Sequence, residues 1–234
     1  MKVLVAIPAR AGSKGIPHKN KVKINGVPLI HYTVSLAISL EENYKVFITT
    51  DDKDIEKMYS TESKVTLHKR KAEHATDSSS IIDALLDLLM EAERIENCRF
   101  DIILLLQPTS PIRTINNIKE AVEQLEKSTN HNSVVSVSAM KDVHPARMYW
   151  KERNTLEPIM REYEQIRRQD IPDAYYRNGC IYLVKRDALV GQRQIMAKPI
   201  LGYQMPSTWL LNIDEPRDLI IAEALLPKWE QGEL

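Results

Sequence analysis

The sequence predicts an α/β fold in one domain, a mainly parallel sheet flanked by helices, with a β-rich extension in its second half. Three observations carry this. Strand-like apolar runs alternate with helix-periodic segments over residues 1–140, the rhythm of β-α-β-α units joined by right-handed crossovers. The run Asp101–Leu106 is so uniformly apolar that it belongs in the middle of a parallel sheet, covered on both faces. After about Met140 the rhythm gives way to short strand-like pieces between polar, Arg-rich connections.

Taken in order, Lys2–Ile7 is a buried strand and Pro28–Leu40 a helix. Val46–Thr50 is a second strand, and Asp51 or Asp52 caps the short helix Lys53–Tyr59. Val65–His68 is a third strand. Ser78–Ile95 is the strongest helix: serines open it, and Ile81, Ile82, Leu85, Leu86, Leu89 and Met90 recur at helical spacing. Asn116–Lys127 is an amphipathic helix and Ser133–Val137 a strand. Beyond Met140, the segments Met148–Lys151, Ile181–Lys185 and Ile200–Tyr203 read as strands, and Pro216–Leu225 as a closing helix. No repeat, low-complexity tract or Gly/Ser linker divides the 234 residues. Residues 1–234 are therefore read as one domain, and about 140–190 as an insertion within it.

A 43% hydrophobic composition supports a full core without disulfide or metal staples. Lys+Arg 32 balances Asp+Glu 32, so bulk charge supports neither a nucleic acid nor an anionic membrane as partner. Any anion site must come from a local cluster of cations. Cys98 and Cys180 are too far apart to form a CxxC pair or a zinc ligand set. The N-terminus does not read as a signal peptide, and no apolar run approaches the roughly 18 residues of a membrane span. The expectation is a cytoplasmic protein.

In open α/β sheets, ligands bind beyond the carboxyl ends of the strands, and three segments leave strands there. The first, Pro8–Asn20, holds Gly12 and Gly15 among the cations Arg10, Lys14 and Lys19. Its glycines allow backbone amides to approach phosphate oxygens. It matches neither GxGxxG nor GxxxxGK[ST]. Such a loop is either a solvated basic segment or a phosphate cradle, and its place directly after the first strand favours the cradle. The second, Gln107–Arg113, follows the most apolar strand. Two prolines stiffen it while Gln107 and its hydroxyls offer hydrogen bonds; a turn capping the next helix is the competing reading. In the third, Asn212-Ile213-Asp214-Glu215, Asn212 and Asp214 point to one side if extended. That pair suits Mg²⁺, which takes a few protein oxygens together with substrate phosphates. Asp214 is equally a good helix cap before Pro216.

Together, Pro8–Asn20, Gln107–Pro111 and Asn212–Leu219 resemble, in order and across essentially the whole chain, the acylneuraminate cytidylyltransferases, the CMP-sialic acid synthetases. The resemblance implies a nucleotidyltransferase fold and transfer of CMP from CTP to a nonulosonic, sialic acid-like sugar acid, with Mg²⁺ or Mn²⁺ and release of pyrophosphate. It also implies a homodimer, with the 140–190 stretch as its dimerisation and sugar-site extension. Arg10, Gly12, Ser13, Lys14, Lys19 and Asn20 fall where that family binds CTP and its phosphates, with Arg10, Lys14 and Lys19 as the catalytic cations. Ala75–Ser80 resembles a second nucleotide stretch, with Ser79 or Ser80 as the contact. Gln107, Arg147, Arg168, Asn178 and Tyr182 match sugar-site positions, and Tyr176 and Arg177 stand where an arginine holds the sugar acid. The metal pair, commonly Asp-x-Asp, is here Asn212 and Asp214. At this length the chain is expected to stand free of any appended esterase domain.

The implied reaction is attack of an α-keto sugar acid hydroxyl on the α-phosphate of CTP. Fixed cations carry most of the catalysis by meeting the charge that accumulates. His18, His31 and His144 read as structural, and no base is assigned. Two other readings compete: a Kdo-type sugar-acid nucleotidyltransferase, whose signature loop differs from Gly12-Ser13-Lys14-Gly15, and a catalytically silent nucleotide-binding regulator, favoured only by Asn212.

Overall fold

A computed structural model describes residues 1–76, 79–140 and 143–234. Along the chain it forms β1 (Val3–Pro8), the small hairpin β2 (Lys23–Ile24) and β3 (Val27–Pro28), α1 (Leu29–Ala37), β4 (Tyr44–Thr50), α2 (Lys53–Tyr59) and β5 (Val65–Lys69). Next come α3 (Ile81–Ile95), β6 (Ile102–Leu105), α4 (Ile115–Lys127) and β7 (Ser133–Met140). The second half holds β8 (Tyr149–Glu152), β9 (Thr155–Pro158), β10 (Ala174–Lys185), α5 (Arg186–Gln192), β11 (Ile200–Met205) and α6 (Pro216–Glu230).

Seven strands make one sheet in the order β11-β7-β10-β6-β1-β4-β5. All run one way except β10, which is antiparallel to both its neighbours. The apolar run β6 lies at the centre with every residue buried. From β1 the chain steps outward through β4 and β5, then returns to lay β6 on the other side of β1. This reversal opens a crevice at the carboxyl ends of β1 and β6, the place where such sheets bind ligands.

Odd and even residues of β1 face opposite sides, and each side has its own core. Val3, Val5 and Ile7 pack with Val34 of α1 and Ile118 and Leu125 of α4. Leu4 and Ala6 pack with Phe47 and with Leu85, Leu88 and Leu89 of α3. Met90, counted in the apolar stripe of α3, is instead 74% exposed. A third cluster joins Ile16, Ile112, Leu211 and Ile213 to Ile24, Leu29 and Leu226. Each of the three polar segments singled out in the sequence therefore plants at least one buried side chain in a common apolar floor, and this floor draws them together.

The helix starts follow capping chemistry. Asp52 accepts from the Asp54 amide at 2.9 Å, and Ser80 from the Ile82 amide at 3.1 Å, contacts worth about 1 kcal/mol each. Ser78, where the α3 reading began, lies outside the described residues.

The 140–190 stretch divides differently from the expected insertion. Most of β10 and all of α5 belong to the main sheet layer, and β11 forms its edge. Among the described residues of this stretch, 143–173 lie outside that sheet and carry the separate hairpin β8–β9. At the start of β10, Ala174 is half-buried and Tyr175–Arg177 are exposed, whereas Asn178–Val184 is buried. The strand pattern therefore becomes visible only past its midpoint. No helix among the described residues is long and apolar enough to cross a membrane.

Candidate active site

The crevice at the carboxyl ends of β1 and β6 is an open cavity of about 610 Å³. Arg10, Ser13, Lys14, Gly15, Lys19 and Asn20 form one wall. Gln107, Pro108 and Thr109 form the side beyond β6, and Asn212, Asp214 and Glu215 face them. All three candidate segments meet here.

The first loop is held in place by its own short-range chemistry. Asn20, buried, donates its side-chain amide to the Arg10 carbonyl at 3.2 Å, and the Ala11 amide donates to Asp51 at 2.8 Å. Gly15 is needed for contact: a Cβ there would stand 2.1 Å from the Asp214 carbonyl oxygen. Gly12 meets nothing within 4 Å and faces open space. Arg10 Nη1 donates to the Thr76 carbonyl at 2.8 Å, and Ser79 Oγ donates to the same oxygen at 2.7 Å. Ser80 is committed to capping α3, whose first residue, Ile81, lines the cavity. The positive end of that helix is therefore at the cavity edge. Asp77 and Ser78 of this stretch lie outside the described residues.

The second loop is organised by Arg113, fully buried though ordinarily a surface cation. Its Nη1 donates to the carbonyls of Gln107, Ser110 and Cys180 at 3.2, 2.9 and 2.8 Å, and its Nη2 to Thr33 Oγ1 at 2.5 Å. Burial lowers the pKa of Arg113 to about 10 and raises that of the neighbouring Cys180 thiol to about 11. The turn is not the cap of the next helix. Thr114 and Asn117 cap α4 themselves, which leaves Gln107 free to line the cavity.

At the third segment, Asp218 accepts from the amides of both Asp214 and Glu215, at 2.9 and 2.8 Å. Glu215 is the N-cap of α6 and forms a capping box with Asp218, so the Asp214 carboxylate, 59% exposed, is left to turn to the cavity. Lys19 Nζ lies 2.7 Å from its Oδ1. The Asn212 amide nitrogen donates to its Oδ2, while the Asn212 oxygen accepts from Ser110 at 3.2 Å. In this arrangement Asn212 turns a donor, not an oxygen, toward Asp214. Among the described residues no three His, Cys, Asp or Glu side chains converge as a metal cage. The exposed Asp214 carboxylate, beside the cation wall, suits a hard cation that keeps its waters and leans on phosphates.

Arg70, from the end of β5, was not singled out from the sequence. It lines the cavity at 6% exposure, and its Nη2 has no hydrogen-bond partner among the described residues. A buried guanidinium nitrogen left unpaired is costly, and here it belongs to a residue on the cavity wall, which makes Arg70 a candidate ligand contact. A lone arginine at a strand end carries no motif, so only the fold reveals it.

The sugar-site candidates spread over several places. Tyr176 lines an apolar hollow of about 280 Å³ with Tyr175, Met140, Met148 and Leu210; Asn212 borders both this hollow and the main cavity. Arg147 and Arg168 line another hollow of about 410 Å³ on the extension, and Arg147 also donates to the carbonyls of Glu164 and Ile166 at 2.9 and 2.6 Å. His144 is pinned there by the Ala146 amide and the Pro172 carbonyl. Arg177 sits 6.0 Å over the Tyr182 ring and 3.2 Å from Met196 Sδ, and lines none of these cavities. Tyr182 is buried in the core beside Leu105. Asn178 is buried too: its amide is used by Ser136, Ser138 and Cys180. It shapes the irregular part of β10 between Arg177 and Tyr182.

Comparison with known proteins agrees with this geometry. The cytidylyltransferase family model matches residues 4–221. An N-acylneuraminate cytidylyltransferase of Streptococcus agalactiae serotype V is 31% identical over 223 residues, 94% of this chain and 52% of that protein. The chain thus spans about half the length of this relative. A CMP-N,N'-diacetyllegionaminic acid synthase of Legionella pneumophila is 32% identical over 229 residues, 97% of each chain. In fold, the chain resembles a CMP-2-keto-3-deoxy-manno-octonic acid synthetase solved with CTP, at a TM-score of 0.72 and 18% identity over 98% of this chain and 100% of the other. A cation-bearing glycine loop, a glutamine loop and the Asp214 segment converge at the sheet's switch point, and with these matches the chain belongs to the cytidylyltransferase family.

Proposed function

We propose that the protein transfers CMP from CTP to the hydroxyl of a nonulosonic, sialic acid-like sugar acid. The acceptor oxygen bonds to the α-phosphorus, the bond from that phosphorus to the bridging oxygen of the β-phosphate breaks, and pyrophosphate leaves with the displaced electron pair. The acceptor's proton passes to solvent or to a phosphate oxygen, since no histidine lines the cavity among the described residues. The observation that carries this reading is the convergence of the Pro8–Asn20, Gln107–Arg113 and Asn212–Glu215 segments on one cavity.

Each part has a physical task. Arg10, Lys14 and Lys19 stand on a loop braced by Asn20 and Asp51, so their charges are in position before the phosphates arrive. Arg70 adds a buried donor deeper in the cavity. Gln107 and the hollow beside Tyr176 lie on the acceptor side. Asp214 would hold Mg²⁺ or Mn²⁺, which would supply charge neutralisation at the phosphates. Asn212 orients that carboxylate through its amide.

The chain acts as a homodimer, with no nucleic acid or membrane partner, in the cytoplasm. Trp150, Val143 and Leu156 of the extension are 69%, 56% and 56% exposed, and Tyr175 and Tyr176 about half exposed. A large aromatic and aliphatic surface beside arginines is the composition of an interface. Pyrophosphate release from CTP with a panel of nonulosonic acids tests the activity directly. Release with none of them would remove the reading.

A further inference from the structure

The guanidinium of Arg70 is held by a line of polar side chains running away from the cavity into the protein. Arg70 Nε lies 3.4 Å from Thr49 Oγ1, and the same oxygen lies 3.0 Å from His68 Nδ1. His68 Nε2 lies 3.4 Å from Asp87 Oδ2 on α3, and Lys71 pairs with the other oxygen of Asp87. Thr49, His68 and Arg70 are all buried. Thr49 and His68 are register partners across the parallel strands β4 and β5, which is why their side chains meet on one face.

Counting protons gives this line a direction. A guanidinium has donors only, so Arg70 Nε–H points to a lone pair of Thr49. The Asp87 carboxylate only accepts and faces His68 Nε2, so a neutral ring keeps its proton there. Nδ1 is then the acceptor for the Thr49 hydroxyl proton. Burial disfavours a charged imidazole here, in keeping with one proton on the ring. Asp87 thus selects the tautomer of His68, His68 orients the hydroxyl of Thr49, and that hydroxyl fixes where Arg70 Nε can point. The far end of the guanidinium, Nη2, is left unpaired among the described residues.

We infer that Thr49 and His68 are positioning residues for nucleotide binding, holding Arg70 so that Nη2 meets an oxygen of the bound nucleotide. The inference rests on reading the cavity as the nucleotide site. Neither residue touches the cavity; each acts through Arg70.

Calorimetric titration of the full-length protein with CTP, in the presence of Mg²⁺, separates the possibilities. Thr49→Val keeps the shape and removes the hydroxyl; it should weaken CTP binding about five- to tenfold, the scale of one ordinary hydrogen bond, because the effect is transmitted through Arg70. Thr49→Ser restores the hydroxyl and should recover most of the loss. In an Arg70→Met background, Thr49→Val should change CTP binding no further, although its effect on melting temperature persists. His68→Leu carries the same expectation as Thr49→Val and serves if that variant does not fold. Wild-type affinity in Thr49→Val, or an equal loss with and without Arg70, would overturn the positioning role. Failure of the wild type to bind CTP would instead remove the nucleotide reading itself, and this inference with it.

Discussion

Lys19 and Asp214, from opposite ends of the chain, form an ion pair at 2.7 Å on the wall of the cavity. The pair joins the loop after β1 to the segment before α6. On the proposed reading, a metal–nucleotide complex would exchange this contact for two, Lys19 meeting a phosphate and Asp214 the metal.

Lys19→Ala should lower turnover by roughly 10²–10³, the scale of removing one preorganised donor to a developing charge. Lys119→Ala, which breaks only the exposed pair with Glu41, should leave activity unchanged. Steady-state rates for both variants at saturating CTP make the comparison.

The two glycines of the loop should behave oppositely. Gly15→Ala drives a methyl to 2.1 Å from the Asp214 carbonyl, so loop and carboxylate must part. We expect a loss of about 1–3 kcal/mol in stability and a larger proportional loss of activity. Gly12→Ala, with open space around it, should match the wild type in both unfolding midpoint and rate.

The separation of these roles was partly legible in the sequence. The helix Lys53–Tyr59 and the central strand around Ile103 are local: each is set by neighbours in the chain, and the structure reproduces them, with Asp52 the one of the two candidate caps that is used. The three polar segments were legible as chemistry, and isolated Ile16, Ile112 and Ile213 within them are the apolar anchors that bring them together. Arg70 and Arg113 were not legible as site or scaffold, because their meaning lies in burial, and an arginine in a sequence reads as surface. Asn178 read as a sugar contact because its neighbours fit a motif, yet its amide is used inside the sheet by serines some 40 positions earlier.

Acid should expose the role of His68. Burial lowers its pKa below the ordinary 6.5, against the opposing pull of Asp87 and Glu91 on α3 and with the help of Arg70 and Lys71. The unfolded chain therefore takes up this proton before the folded one does. Stability from the neutral imidazole is present above about pH 6.5 and falls as pH drops toward the folded-state value. His68→Gln should flatten the unfolding midpoint across that window. An unchanged acid slope would show that other groups set it.

Trp150→Asp should weaken the homodimer by placing a charge on the exposed aromatic face of the extension. Sedimentation across a dilution series should find monomer at concentrations where the wild type remains paired. A wild type that is monomeric and fully active would contradict the dimer.

The central claim is cytidylyl transfer at the cavity shared by Lys19 and Asp214. It is tested most directly by mass-spectrometric detection of the product formed from CTP, Mg²⁺ and a panel of nonulosonic acids, run beside UTP and beside Asp214→Ala. The account predicts a CMP-linked sugar acid and equimolar pyrophosphate with CTP, little product with UTP, and none with Asp214→Ala, which should stay folded because Glu215, in a capping box with Asp218, starts α6. Absence of any CMP-linked product from the wild type, or undiminished product from Asp214→Ala or in EDTA, would contradict it.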